Sequence, residues 1–159
     1  MPEQNKFLLE WAITFLRNRD IVKKQIVSIE GKKDELGFIV HCKDRKKFFV
    51  LVTYLEKSVF GKIKNNEDFC ILTLNNKANV EFVISNWNEL SNFNSLAIYF
   101  LNPFSDTGKV WVINPHVHNS ICEKSSLRAG IISMSEMVDG TDESAIEINL
   151  KSRSQESAQ

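Results

Sequence analysis

The sequence predicts an α/β fold: a mixed β-sheet flanked by helices, with elements in the order α-β-β-β-β-α-β-β-α. Three observations point to it. Segments with a 3.6-residue apolar period sit at both ends and in the middle, and apolar runs of strand length fill the gaps between them. The composition is that of a globular chain, 43% hydrophobic and 25% charged over 159 residues, with enough apolar surface for a core. Eleven Phe and three Trp argue for a packed interior rather than disorder.

The first element, "FLLEWAITFLRNRD", is a helix with apolar residues at Phe7, Leu8, Leu9, Trp11, Ala12, Ile13, Phe15 and Leu16. Glu10, Thr14 and Arg17 share one thin polar edge of it. "QIVSIE" (25–30) is a short strand. "LGFIVHCK" (36–43) and "KFFVLVTYL" (47–55) are strands joined by the charged turn Asp44-Arg45-Lys46. The second of these is almost continuously apolar, which predicts a central strand covered on both faces. After the polar loop "GKIKNNED" comes the strand "FCILTL" (69–74), and "NNKAN" supplies capping side chains for the next helix.

That helix is "VEFVISNWNEL", with Val80, Val83, Ile84, Trp87 and Leu90 in helical period. "SLAIYFL" (95–101) is a buried strand, and the turn-rich "NPFSDTG" returns the chain to "KVWVI" (109–113), antiparallel to it. "NPHVHNSIC" starts a helix, with Asn114 as cap and Pro115 in its first turn. "SSLRAGIISMSEMV" is a further helix whose inner face is Leu127, Ile131, Met134 and Val138. Residues 1–138 thus form a single globular domain. Residues 139–159 turn acidic and small-polar without useful periodicity, a tail expected to be mobile at least beyond Lys151.

Charge is unevenly distributed. Residues 1–64 carry 14 Lys/Arg against 8 Asp/Glu, while residues 65–159 carry 6 against 12. Either the two halves attract each other and dress solvated faces, or the basic front half faces an anionic partner such as nucleic acid. Cys42, Cys70 and Cys122 form no CxxC pair and, without a signal-peptide pattern, read as reduced thiols of a cytoplasmic protein. No apolar run reaches the ~20 residues that span a bilayer, so no membrane partner is expected.

Several chemistries find little support. In "WVINPHVHNSICEK" a helix from Pro115 places His118 and Cys122 on one face and His116 elsewhere; an extended segment pairs His116 with His118 instead. Neither gathers His116, His118 and Cys122 as a local metal site, and His41-Cys42 would have to complete it from a distant strand. "SSLRAG" lacks the strand that a nucleophile elbow requires, and Cys122 with His118 lacks the flanks of known thiol proteases. The six glycines form no phosphate-binding loop.

The order helix, three strands, helix, strand over roughly Asn5 to Leu101 resembles the restriction-endonuclease-like, or PD-(D/E)XK, superfamily. The resemblance implies a core of that kind and a Mg²⁺-dependent nuclease, in which an Asp on one strand and an E/D-x-K on the next hold the ion. Glu30-Gly31-Lys32 matches E-x-K with Asp20 upstream, Asp44-Arg45-Lys46 matches D-x-K within a tight turn, and Glu10 stands where a helix-borne acid is sometimes found. The sequence departs from the pattern where the family is strictest: the central strand Phe49-Val50-Leu51-Val52-Thr53-Tyr54 carries no acid.

The expectation is therefore a non-enzymatic domain that needs no cofactor and binds a protein partner or its own copy. The alternatives are a metal-dependent nuclease using Glu10, Asp20 or Glu30 with Lys32, or nucleic-acid binding through the basic 32–47 region. In the last case Lys32, Lys33, Lys43, Arg45, Lys46 and Lys47 form a rim for phosphates. Such a lysine-rich hairpin tip equally serves to keep a sheet edge soluble.

Overall fold

The chain follows the predicted order around one six-stranded sheet in a computed structural model that describes residues 1–31 and 35–157. Helix α1 (Glu3–Arg19) leads into strands β1 (Ile26–Gly31), β2 (Gly37–Cys42) and β3 (Lys46–Leu51). A 3-10 turn (Lys57–Gly61) precedes β4 (Asp68–Leu74), then α2 (Lys77–Ser85), α3 (Trp87–Leu90), β5 (Leu96–Leu101) and β6 (Val110–Ile113). Helices α4 (Pro115–Ile121), α5 (Leu127–Ser135) and α6 (Glu143–Ser157) close the chain.

Strand order equals sequence order, β1 to β6. β1–β2, β2–β3 and β5–β6 are antiparallel, while β3–β4 and β4–β5 are parallel. Side chains alternate between two apolar layers, as strand geometry requires. On face one, Phe69, Ile71, Ile98, Phe100, Trp111 and Ile113 meet α2, α3 and α5. On face two, Phe49, Leu51, Cys70, Leu72 and Leu101 meet α1 and α6 through Leu8, Leu9, Ala12 and Ile146. Ile26 and Ile29 both reach face two although three residues apart, because the register slips between Ile26 and Ser28. Gly37 is confined by its neighbour strand: a Cβ there would stand 2.5 Å from the Phe49 carbonyl oxygen.

Four local expectations change. The strand buried throughout from Phe69 to Leu74 is β4, whereas Phe48 and Val50 of β3 are only half-buried, since an irregular connection rather than a helix covers them. The single helix expected over 80–90 breaks at Asn86 (φ −111°, ψ 22°), whose amide donates to the Phe82 carbonyl at 2.8 Å. Asn114 precedes α4 in extended geometry but makes no side-chain cap. The expected tail instead contains α6, fixed by the buried Ile146, the half-buried Leu150, and Arg153 lying 4.7 Å over the Phe104 ring.

Asparagines hold the carboxyl ends of the strands together. Asn76 caps α2 by accepting from the Asn79 amide at 2.9 Å. The fully buried Asn79 donates to the carbonyls of Thr53 (3.0 Å) and Leu74 (2.8 Å) and accepts from the Leu55 amide (2.9 Å). Asn75 donates to Ser135 (3.0 Å) and Val138 (2.8 Å) carbonyls and accepts from the Trp111 indole (2.8 Å). Each orphaned buried partner costs about 1–3 kcal/mol. Asn79→Leu, which strands three partners, is expected to lose about 3 kcal/mol or more in urea unfolding. Asn149→Ala, at the half-buried Asn149 whose amide bonds only Ala145 among the described residues, should lose under about 1 kcal/mol.

Candidate anion-binding cleft

The site grows out of the way α1 ends. Asp20 turns the chain by accepting from the backbone amides of Gln25 (2.9 Å) and Ile26 (2.8 Å), while the Lys24 amide donates to the Asp20 carbonyl at 2.7 Å. Lys24 takes a left-handed conformation (φ 51°) to make this turn. The Lys43 amide then bonds the Gln25 carbonyl at 3.0 Å, docking the turn onto the end of β2. α1 therefore stops short, and the space past its end on face two is bordered by Ile26 of β1, Val40 and Cys42 of β2, Lys47 and Phe49 of β3 and Tyr99 of β5.

The opening is a cleft of about 510 Å³. The half-buried Leu16 and Ile26 give it apolar sides, the buried Val40 and Phe49 close it from below, and Cys42 and Tyr99 stand beside them. Arg19, Lys23, Arg45 and Lys47 bring four cations to it, against Asp20 and Asp44. Asp20 is already engaged by two backbone amides. Arg45 is shared between Asp44 (3.6 Å) and Asp68 (3.7 Å). Among the described residues no carboxylate lies within ion-pair distance of Arg19, Lys23 or Lys47. Arg19 rests 5.5 Å over the Phe15 ring, and Lys47 is half-buried. Three cations facing one concavity repel one another, and a bound anion relieves that repulsion.

Tyr99 is the least expected member. It is half-buried and tilted against Phe49 with ring centroids 5.5 Å apart, and among the described residues its hydroxyl has no hydrogen-bond partner. Burial, followed by the field of Cys70, pushes its phenol up to about 12. It stays a neutral O–H donor at neutral pH. Burial likewise raises the Cys70 thiol to about 12, against a lowering influence from Lys47.

A second cavity of about 540 Å³ lies between the start of α2 and the end of α5. Its charges are mixed, Lys77 with Glu81, Glu136 and Asp139. Arg128 grips Glu81 at 2.6 and 3.1 Å, which holds that carboxyl below its ordinary value. It offers no cationic excess.

The other residues singled out by sequence lie apart. Glu10 is exposed on α1, Asp20 caps the turn, and Glu30 on β1 bonds His41 at 3.0 Å. Lys32 and Lys33 fall outside the described residues. Lys43 and Lys46 are exposed at the β2–β3 turn, next to Arg45 and Lys47 of the cleft. His116 bonds the Ser91 carbonyl at 2.9 Å, His118 stands edge-on to Trp87 at 6.2 Å, and Cys122 follows α4 with its amide on the His118 carbonyl. Among the described residues no three His, Cys, Asp or Glu side chains gather to hold a metal ion, and no helix is long and apolar enough to cross a membrane.

Sequence reasoning found the 43–47 side of the cleft and missed Arg19, Lys23 and Tyr99. One signal for Tyr99 was available: a phenol within the aliphatic run "SLAIYFL" needs either a partner or an opening. No family model matches the chain, and neither a curated protein nor a solved structure matches it.

Thiol reactivity checks the geometry. Iodoacetamide on the folded protein at about pH 8 is expected to label the half-buried Cys42 and Cys122 and to spare Cys70 until the chain unfolds. Labelling of Cys70 at the rate of Cys122 would show that the floor beside the cleft is not closed.

Proposed function

We propose that this is a non-enzymatic binding domain whose ligand is a phosphate-bearing strand, a nucleic acid, held in the cleft at the end of α1. The observation that carries the reading is the group of three cations, Arg19, Lys23 and Lys47, turned to one concavity without a carboxylate partner among the described residues. Lys43 and Lys46 on the adjoining turn extend the positive surface. Phosphate oxygens are the natural counter-charges, and each contact releases counterions from the strand. The reading gives Asp20 and Glu30 structural work, since the first holds the turn and the second holds His41.

A protein partner or a second copy is the other reading, and a different surface favours it. Ile21 and Val22 just before β1 and Val27 within it are 66%, 90% and 67% exposed, and among the described residues β1 has a strand neighbour on one side only. Exposed apolar groups gathered at a sheet edge mark association surfaces. Sedimentation of Val22→Glu beside the unaltered chain tests it: concentration-dependent association that the substitution abolishes supports it, and identical monomeric boundaries remove it.

For the cleft, fluorescence anisotropy with labelled single- and double-stranded DNA across about 50–200 mM salt is the direct test. Three phosphate contacts predict a slope of log affinity against log salt of about −2 for a single strand. Lys47→Ala or Arg19→Ala should each weaken binding several-fold and reduce that slope by about 0.7. Lys151→Ala, at a lysine paired with Glu147 on α6, should change neither. Binding that ignores salt, or that survives both cleft substitutions, rejects the reading.

A further inference from the structure

We infer that the cleft accepts an unpaired nucleotide of a single strand, with the base against the apolar walls beside Tyr99 and the flanking phosphates on Arg19, Lys23 and Lys47. The inference rests on the nucleic-acid reading and goes further by naming the form of the strand.

Size comes first. A cavity of about 510 Å³ lies in the range of sites that enclose one small ligand. Inorganic phosphate would leave most of it filled with water. A duplex keeps its bases stacked inside a convex rod, so it can lay phosphates on the rim cations but offers nothing to the interior. A single strand presents both parts at once: charge for the rim and a flat, weakly polar base for the walls.

The chemistry within the cleft agrees. The cations Arg19, Lys23 and Lys47 share it with the half-buried Leu16, Ile26 and Tyr99, a division that suits an amphipathic unit better than a bare anion. Tyr99 adds part of an aromatic ring and a hydroxyl with no partner among the described residues, free to bond a base edge or a phosphate oxygen. Arg19 at the rim brings a planar guanidinium, which stacks on bases as readily as it pairs with phosphate.

The experiment compares three probes on the full chain at fixed salt: a labelled single-stranded oligonucleotide, a blunt duplex of equal length, and inorganic polyphosphate as competitor. The single strand is expected to bind about tenfold more tightly than the duplex, and polyphosphate to compete poorly at equal phosphate concentration. Tyr99→Leu should erase most of that preference and leave duplex affinity nearly unchanged, both read well below the variant's melting temperature, which the lost packing against Phe49 lowers. Tyr99→Phe should keep most of it. A readout without substitution accompanies these: bound single strand should slow alkylation of Cys42, which lines the cleft, and duplex should not. Equal, Lys47-dependent affinity for single strand and duplex, or full competition by polyphosphate, overturns the inference while the nucleic-acid reading stands. No binding of either DNA overturns both.

Discussion

One constraint organises the molecule: the chain crosses its sheet in a single direction. β3, β4 and β5 are parallel and adjacent, so two crossovers are needed, over residues 52–67 and through α2 and α3. Crossovers of the same hand between strands that advance the same way fall on the same face. Both pack on face one, with Leu55, Val59, Val83 and Trp87 in the same apolar layer. Face two is left to α1 and α6, two helices from opposite ends of the chain, which meet each other near the start of α1. α1, with 17 residues, is about 25 Å long. It stops where Asp20 turns the chain, and a cleft lined by Lys47 of β3, Cys42 of β2 and Tyr99 of β5 lies past its end.

The two ends of the sheet are treated differently. In open α/β sheets ligands usually sit outside the carboxyl ends of the strands. Here those ends carry Asn75, Asn79 and Asn102, which bond the neighbouring loops and close them into the core. Asn102 donates to the Asp139 carbonyl at 2.9 Å, and Thr53 bonds Glu143 of α6, so the carboxyl-terminal helix is tied to the same end. Buried amides with satisfied partners specify one arrangement of the loops around them. The cleft past the end of α1, by contrast, has cations without carboxylate partners and a tyrosine hydroxyl without a hydrogen-bond partner among the described residues.

Much of the fold was legible in the sequence because each element obeys one dominant rule. "FCILTL" and "SLAIYFL" are strands by length and apolarity, and Leu127, Ile131, Met134 and Val138 do line the inner side of the α5 region. α6 was hidden because only Ile146 is fully buried in it, with Ala145, Asn149 and Leu150 half-buried, while Ile148 on another side is 62% exposed and cancels the pattern. The break at Asn86 was hidden because Val83 and Trp87 keep helical spacing across it. The cleft was legible only on one side. Lys43, Arg45, Lys46 and Lys47 stand together in the chain, but Arg19 and Tyr99 join them through a helix end and a strand two places away in the sheet. Pattern within a segment does not report such a meeting, since it depends on where α1 ends over the sheet.

The central claim is that the uncovered end of face two is a ligand site rather than an ordinary hollow in the surface. Backbone-amide NMR during titration with a short single-stranded oligonucleotide tests it most directly. The account predicts that shifts concentrate in three places far apart in sequence: Arg19 to Ile26, Cys42 to Phe49, and the neighbourhood of Tyr99. Shifts confined to the α2–α5 cavity around Lys77 and Glu136, or no shifts at concentrations where salt-sensitive binding should saturate, would contradict it.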